Sequence, residues 1–257
     1  NWLPTSFYHS STEKIKYQKQ SDYCTAFACS TAAEANEADE GFAELDPLYA
    51  FFKGKQISSD ADEWGQDLRT ACKAFVKFGC IPQSLAPYDV SVARSTITDP
   101  ASWIHDLELE AWKRRQKTFA RSDSGPYDVF DNIRVSLYQF RQTASPVVVG
   151  CVWRNSWTAL EGGIIRDAGD PRDGFGHAFV VRGWGNIDDE PYLYCQLSNG
   201  EDIGDKGYFW ISREVVNAEF SYGAFQFLDL DRNVVETFQH NPYWLAKILT
   251  ALKNFFK

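Results

Sequence analysis

The chain has 257 residues, 44% of them hydrophobic and 16% aromatic, enough to bury a substantial core as one domain or two closely packed lobes. A formal charge of −9 argues against nucleic acid or an anionic membrane as the main partner. No apolar run approaches the roughly 18 residues that a membrane span needs, and no signal peptide is visible. With Asn1 first and no methionine anywhere, a processed form or an excised domain is expected.

In chain order, an extended segment carrying His9 comes first. QKQSDYCTAFACSTAAEA (18–35) then sets a cysteine after a polar turn and before an alanine-rich run. Ser21 and Asp22 are good capping residues and the alanines strong helix formers, so Cys24 is expected in the first turn of a helix. There, unpaired amide N–H groups and the helix dipole stabilise a thiolate. The competing reading is a small apolar residue packed at a helix end.

ELDPLYAFFKGKQI (44–57) predicts a second helix, capped by Asp46 with Pro47 at its first position. WGQDLRTACKAFVKFG (64–79) predicts a third, with Leu68, Ala71, Phe75 and Phe78 on one face and Gly79 as its stop. Residues 101–116 are a weaker helix candidate, whose KRR run (113–115) reads as a solvated face. The segment 92–128, broken by TDP and SDSGP, is expected to cross to a second half of different character. In that half ASPVVVGCVW (144–153), HAFVVRGWG (177–185), PYLYCQLS (191–198) and KGYFWIS (206–212) read as strands separated by Gly, Asn and Asp turns. Helices first and strands later predict an α+β arrangement. NPYWLAKILTALKNFFK (241–257) predicts an amphipathic helix that docks on its own domain, binds a protein partner or lies on a membrane surface.

The six cysteines (24, 29, 72, 80, 151 and 195) are too sparse for a disulfide framework. Cys24 and Cys29, five apart on one helix, point about 140° away from each other. No CxxC or HxxxH spacing suggests a metal site, and no cofactor motif is present. Free thiols are expected, which suits a reducing cytosol or a bacterial protein exported or delivered into a host.

A nucleophilic cysteine needs a base, an orienter for the base and donors for the oxyanion. His177 in GFGHAFVVRGWG, after a glycine-flanked turn and at the head of an apolar strand, is the candidate base. His9, His105 and His240 have no comparable surroundings.

At this point the chain resembles the papain-like cysteine peptidases. LPTSFYHS is similar to LPxSFDWR, and YQKQSDYCTAFA to QGxCGSCWAF, with Gln18 six residues before Cys24. ELDPLYAFF is similar to LSEQxLYxx, residues 63–89 to GxxxxxALxxxxxxGxxxExxYPY, and LSNGEDIGDKGYFW to NSWGxxWGxxGYFW. Five motifs run in the family's order. The resemblance implies a two-lobed fold over residues 1–240, with a helical left lobe (about 15–115) and a β-barrel-like right lobe (about 125–230 plus the N-terminal segment). It implies a polypeptide substrate or peptide-like inhibitor in the cleft between them. Cys24 would be the nucleophile, His177 the base, and the Gln18 carboxamide with the Cys24 N–H the oxyanion donors. Gly65, Trp64 and Gly176 would bind substrate, with Gly65 at its backbone, although the family usually has a second glycine where this chain has Trp64.

The chain also departs from the family. An ungapped alignment puts Leu197, twenty residues after His177, where the family has its third catalytic residue, an asparagine. Asn199 falls where the family has a shielding tryptophan, and Thr25 replaces the tryptophan after the nucleophile. Asn199 shares a strand face with position 197 and is displaced from it by about 6.6 Å. Three readings stand: a peptidase oriented by Asn199, a weakened peptidase using a Cys–His dyad, or an impaired relative kept as a binding module. The same thiol chemistry also supports deamidation or transamidation.

Overall fold

The structure is a computed structural model that describes residues 3–9, 14–37, 44–58, 65–85, 103–142 and 144–228. The amphipathic tail, His240 and Trp64 lie outside these residues.

The alanine-rich run forms α1 (Cys24–Glu37). Ala28, Cys29, Ala32 and Ala33 are buried, and their small side chains let the helix lie between the other helices and the sheet. Ser21 does not cap it. Its hydroxyl donates to Gln18 O at 2.7 Å and closes the preceding turn, while Tyr23 O accepts the Phe27 N–H.

The second helix, α2 (Pro47–Ile57), starts as its sequence predicts, with the Asp46 carboxylate accepting from the Leu48 and Tyr49 N–H groups. In α3 (Leu68–Lys77) the buried face holds Leu68, Ala71 and Phe75, while Phe78 at the C-cap is only half-buried. Gly79 ends the helix at φ +81°, and a Cβ there would lie 1.8 Å from Ala111 O of α4 (Trp103–Lys113). Both conformation and clearance demand glycine. Lys113 and Arg114 of the KRR run pair with Glu110, and Arg115 lies over the Trp112 ring, so these cations are engaged on their own helix.

The remaining elements are β1 (Phe7–Tyr8), β2 (Thr118–Arg121), α5 (Val129–Gln139), β3 (Val147–Trp153), β4 (Ile164–Ile165), β5 (Phe175–Ile187), β6 (Glu190–Gln196), β7 (Tyr208–Ser212), α6 (Arg213–Glu219) and β8 (Ala224–Leu228). The strands form one sheet in the order β2-β8-β3-β5-β6-β7-β4, with β1 also pairing β5. The pairing is antiparallel except for β4 with β7, and the sheet is not closed into a barrel.

Side chains alternate across this sheet as period-two geometry requires. Val147, Val149, Cys151 and Trp153 of β3, with Phe179 and Val181 of β5, pack on one face against Phe130, Ile133 and Leu137 of α5. Val148, Ala178 and Val180 face the other way, against the alanines of α1. The first turn of α1 is thereby set beside the start of β5. The mixed α+β class read from the sequence is the architecture observed.

Candidate active site

Cys24 opens α1 and is half-buried. The N–H groups of Ala178, Thr25 and Cys24 itself act on its sulfur and favour the thiolate, as expected at a helix start. Burial outweighs them and, helped by the Asp22 charge, pushes the thiol up to about 11. His177, at 6% exposure, responds to the same cause in the opposite sense: burial pushes its imidazole down to about 4. Each group is therefore held toward its neutral form, in contrast to the thiolate expected from the helix start alone. The desolvation of both walls accounts for the difference.

The second cause acting on His177 is the Asn199 side chain, which raises its pKa against the pull of burial. Asn199 Oδ1 is itself buried, and its contact with the ring falls outside regular hydrogen-bond geometry. Leu197 is 2% exposed and packs with Cys195, Leu193 and Phe209 in the sheet's core. Of the two candidate orienters, Asn199 is the residue at the imidazole.

Gln18 and Asn199 arrive at the site on paired backbones. Tyr17 bridges Asn199, the Gln18 N–H donates to Ser198 O at 2.8 Å, and Gly200 N–H donates to Lys16 O at 3.1 Å. Lys16 is anchored in turn by the buried Glu34 carboxylate of α1 at 2.7 Å. The Gln18 carboxamide is held at both ends. Its Oε1 accepts from Ser198 Oγ at 2.5 Å, and its Nε2 donates to Ser21 O at 3.0 Å. One Nε2 hydrogen remains for another acceptor.

Gln18, Cys24, Gly65, Gly176 and His177 all line one cleft of about 820 Å³. Gly65 sits at φ +72°, which favours glycine for its backbone; a Cβ there would meet only Asp22 O, at 3.7 Å. Gly176 is exposed on the opposite rim. His9 instead lies within hydrogen-bond reach of Ala144 O, 3.3 Å away, far along the sheet.

Three contributors escape a reading of the sequence. Trp153, at the end of β3, stands edge-on to the His177 ring at 5.3 Å. Its signal was available: if the runs 144–153 and 177–185 pair antiparallel, Cys151 opposes His177 and Trp153 lies diagonally across on the same face. Ser198, which orients Gln18, has no motif of its own. Arg154 is buried beside Trp153 and likewise carries no local signal.

Among the described residues no group of His, Cys, Asp or Glu is placed to hold a metal ion. None of their helices is long and apolar enough to cross a membrane.

The model of the papain family of cysteine proteases matches residues 67–224, more than half of the chain. No curated protein matches. Among solved structures, xylellain, a cysteine protease from Xylella fastidiosa, superposes with a TM-score of 0.69 at 19% identity, over 88% of this chain and 86% of that one. Digestive procathepsin L 3 of Tenebrio molitor gives 0.68 at 17% identity, over 88% and 70%. The Carica candamarcensis cysteine protease CMS1MS2, solved in complex with E-64, gives 0.63 at 16% identity, over 88% and 98%. At these identities the structural likeness speaks for the fold.

Proposed function

Because the chain belongs to the papain family of cysteine proteases, we propose that it hydrolyses peptide bonds of a polypeptide laid along the cleft, through a covalent thioester on Cys24. The observation that carries this reading is the convergence of Gln18, Cys24 and His177 on one cleft, with the Asn199 carboxamide acting on the base.

With thiol and imidazole both held neutral at rest, proton transfer accompanies attack. His177 takes the Sγ proton as sulfur bonds to the substrate carbonyl carbon. The carbonyl oxygen, now anionic, receives the remaining Gln18 Nε2 hydrogen and the Cys24 N–H. The nitrogen that takes this proton faces the sulfur. The other ring nitrogen carries its N–H throughout, and Asn199 Oδ1 is the acceptor for it, a hydrogen bond that strengthens when the ring becomes cationic. Collapse breaks the C–N bond, and His177 returns its proton to the leaving amine. Water then attacks the thioester with His177 as base. A carboxylic acid is released and the thiol is restored.

The test is a fluorogenic peptide library assayed with the wild-type chain and with Cys24→Ala. Turnover lost in the variant supports the reading, and turnover equal in both overturns it. E-64, found in the Carica candamarcensis and Ananas comosus proteases, is the inhibitor to try, with Cys24 as its expected site.

One observation favours a second reading, a binding module with impaired chemistry. Burial holds Cys24 at about 11 and His177 at about 4, far from the values of a preformed ion pair. In that case peptides bind to the cleft and Cys24→Ala changes neither binding nor a turnover that is absent throughout.

A further inference from the structure

We propose that Arg154, together with Glu219, is a positioning group for His177: one buried guanidinium fixes the three segments that surround the base. The proposal rests on the catalytic reading above.

All five guanidinium N–H groups of Arg154 are engaged. Nε and Nη2 donate to Glu219 Oε1 at 3.2 and 2.7 Å, and Nη2 also donates to Oε2 at 2.7 Å. Nη1 donates to Pro171 O at 3.0 Å and to Asp173 O at 3.2 Å. Arg154 and Glu219 are each only 6% exposed.

The acceptors are not scattered. Pro171 and Asp173 belong to the loop that runs directly into β5, whose third residue is His177. A Cβ on Gly174 of that loop would lie 2.7 Å from Trp153 O and 2.9 Å from Val152 Cγ1, so the loop is pressed onto the end of β3. Asn155 also bonds Asp173, and Trp157 Nε1 donates to Asp167 O at 3.0 Å.

The residue before Arg154 is Trp153, edge-on to the imidazole. Glu219 ends α6 and leads into Phe220, which packs on Phe179 behind His177 at 5.6 Å. Two residues further on, the Tyr222 N–H donates to Gly150 O at 3.2 Å, and Tyr222 lines the cleft.

A buried ion pair is a costly way to gain stability, since apolar residues of similar volume often serve as well. Its merit here is geometric. A planar fork with five donors holds a carboxylate and two carbonyls at fixed angles, which a lysine ammonium with three donors cannot reproduce. If the loop before His177 shifts, the imidazole shifts relative to Cys24, and misplacement of about 1 Å is enough to cost on the order of 100-fold in rate.

The test uses Arg154→Lys and Glu219→Gln in the full chain, with kcat and KM measured separately on a peptide the wild type cleaves, below the melting temperature of each variant. Both are expected to melt cooperatively, with kcat lower by roughly 10- to 100-fold and KM changed less than about twofold. A purely structural pair would lower the melting temperature and leave kcat per folded molecule at the wild-type value, and that result overturns the proposal. So does a rise in KM alone. If Arg154→Lys does not fold, Glu219→Gln, which keeps an acceptor oxygen, is judged by the same criterion. Should the wild type cleave no peptide, the catalytic reading fails by itself. The iodoacetamide labelling rate of Cys24 then decides: slower labelling in the variants supports the positioning role, and unchanged labelling refutes it.

Discussion

The two walls of the cleft are built differently. The Cys24 wall is a helix start packed on alanines, with backbone N–H groups at the sulfur and a polar turn in front of it. The His177 wall is a strand encased by Trp153, Phe175 and Phe179, with Arg154 and Glu219 behind its entry loop. Local sequence builds most of the first wall, completed by Ser198 at Gln18 and the Ala178 N–H at the sulfur, whereas the second is assembled from β3, β5, α6 and the turn after β6. Burial acts on both and drives thiol and imidazole toward neutrality, so the proposed chemistry depends on moving one proton across the cleft.

If the walls cooperate in this way, the largest effect belongs to the nucleophile. Cys24→Ala should abolish peptide turnover, by roughly four orders of magnitude or more, in a steady-state assay; residual cleavage near the wild-type rate breaks the comparison at once. Gln18→Ala removes an oxyanion donor and should lower kcat on the order of 100-fold or more, with little change in peptide binding to a Cys24→Ala background. A loss confined to binding would move Gln18 from chemistry to substrate docking.

Next comes the orienter. Asn199→Ala should cost on the order of 10- to 100-fold in kcat, whereas Leu197→Asn should give no gain. Putting an amide into the core at a site 2% exposed should instead destabilise the fold by about 2 to 4 kcal/mol, read from denaturant midpoints. A rate gain from Leu197→Asn would show that the base is oriented from position 197 after all.

The smallest effect is the pH dependence of stability. His177 falls from an ordinary 6.5 to about 4 on folding, so its depressed pKa contributes stability fully present above about pH 6.5 and lost as pH falls toward 4. Replacing it by glutamine should flatten that part of the profile by at most about 3 kcal/mol. Asp46, raised from 3.8 to about 6 by burial, works in the opposite sense, its contribution being lost as pH rises through that range. The wild-type profile alone therefore conceals the histidine, and the difference between the two chains reveals it. Identical profiles would mean that the imidazole is not buried in its neutral form.

The helix wall was largely legible because its signals are local. Asp46-Pro47 marks the start of α2, the alanines mark α1, and Gln18 and Cys24 stand six residues apart across the turn that Ser21 closes. Ser21 shows the limit: its capping chemistry is real but is spent on Gln18 O. The strand wall was legible for His177 and ambiguous for its orienter. Counting an interval of twenty from His177 lands on Leu197, which the core claims, and the side chain at the ring comes from two residues later, where Asn199 leaves β6 and bridges Tyr17. Arg154 reaches the loop before the base across 17 residues and Glu219 across 65, with no local motif to announce either, whereas the approach of Trp153 to the base follows only once β3 and β5 are paired. The thiolate expected at the helix start shows a further limit, since desolvation is a property of both walls together.

The central claim is that His177 takes the Cys24 proton across the cleft. Its most direct test is iodoacetamide labelling of each cysteine near pH 6.5, followed by peptide mass mapping, in the wild type and in His177→Gln. The account requires Cys24 to label ahead of the five buried thiols and to slow by roughly tenfold or more in the variant. Equal Cys24 rates in the two proteins would contradict it.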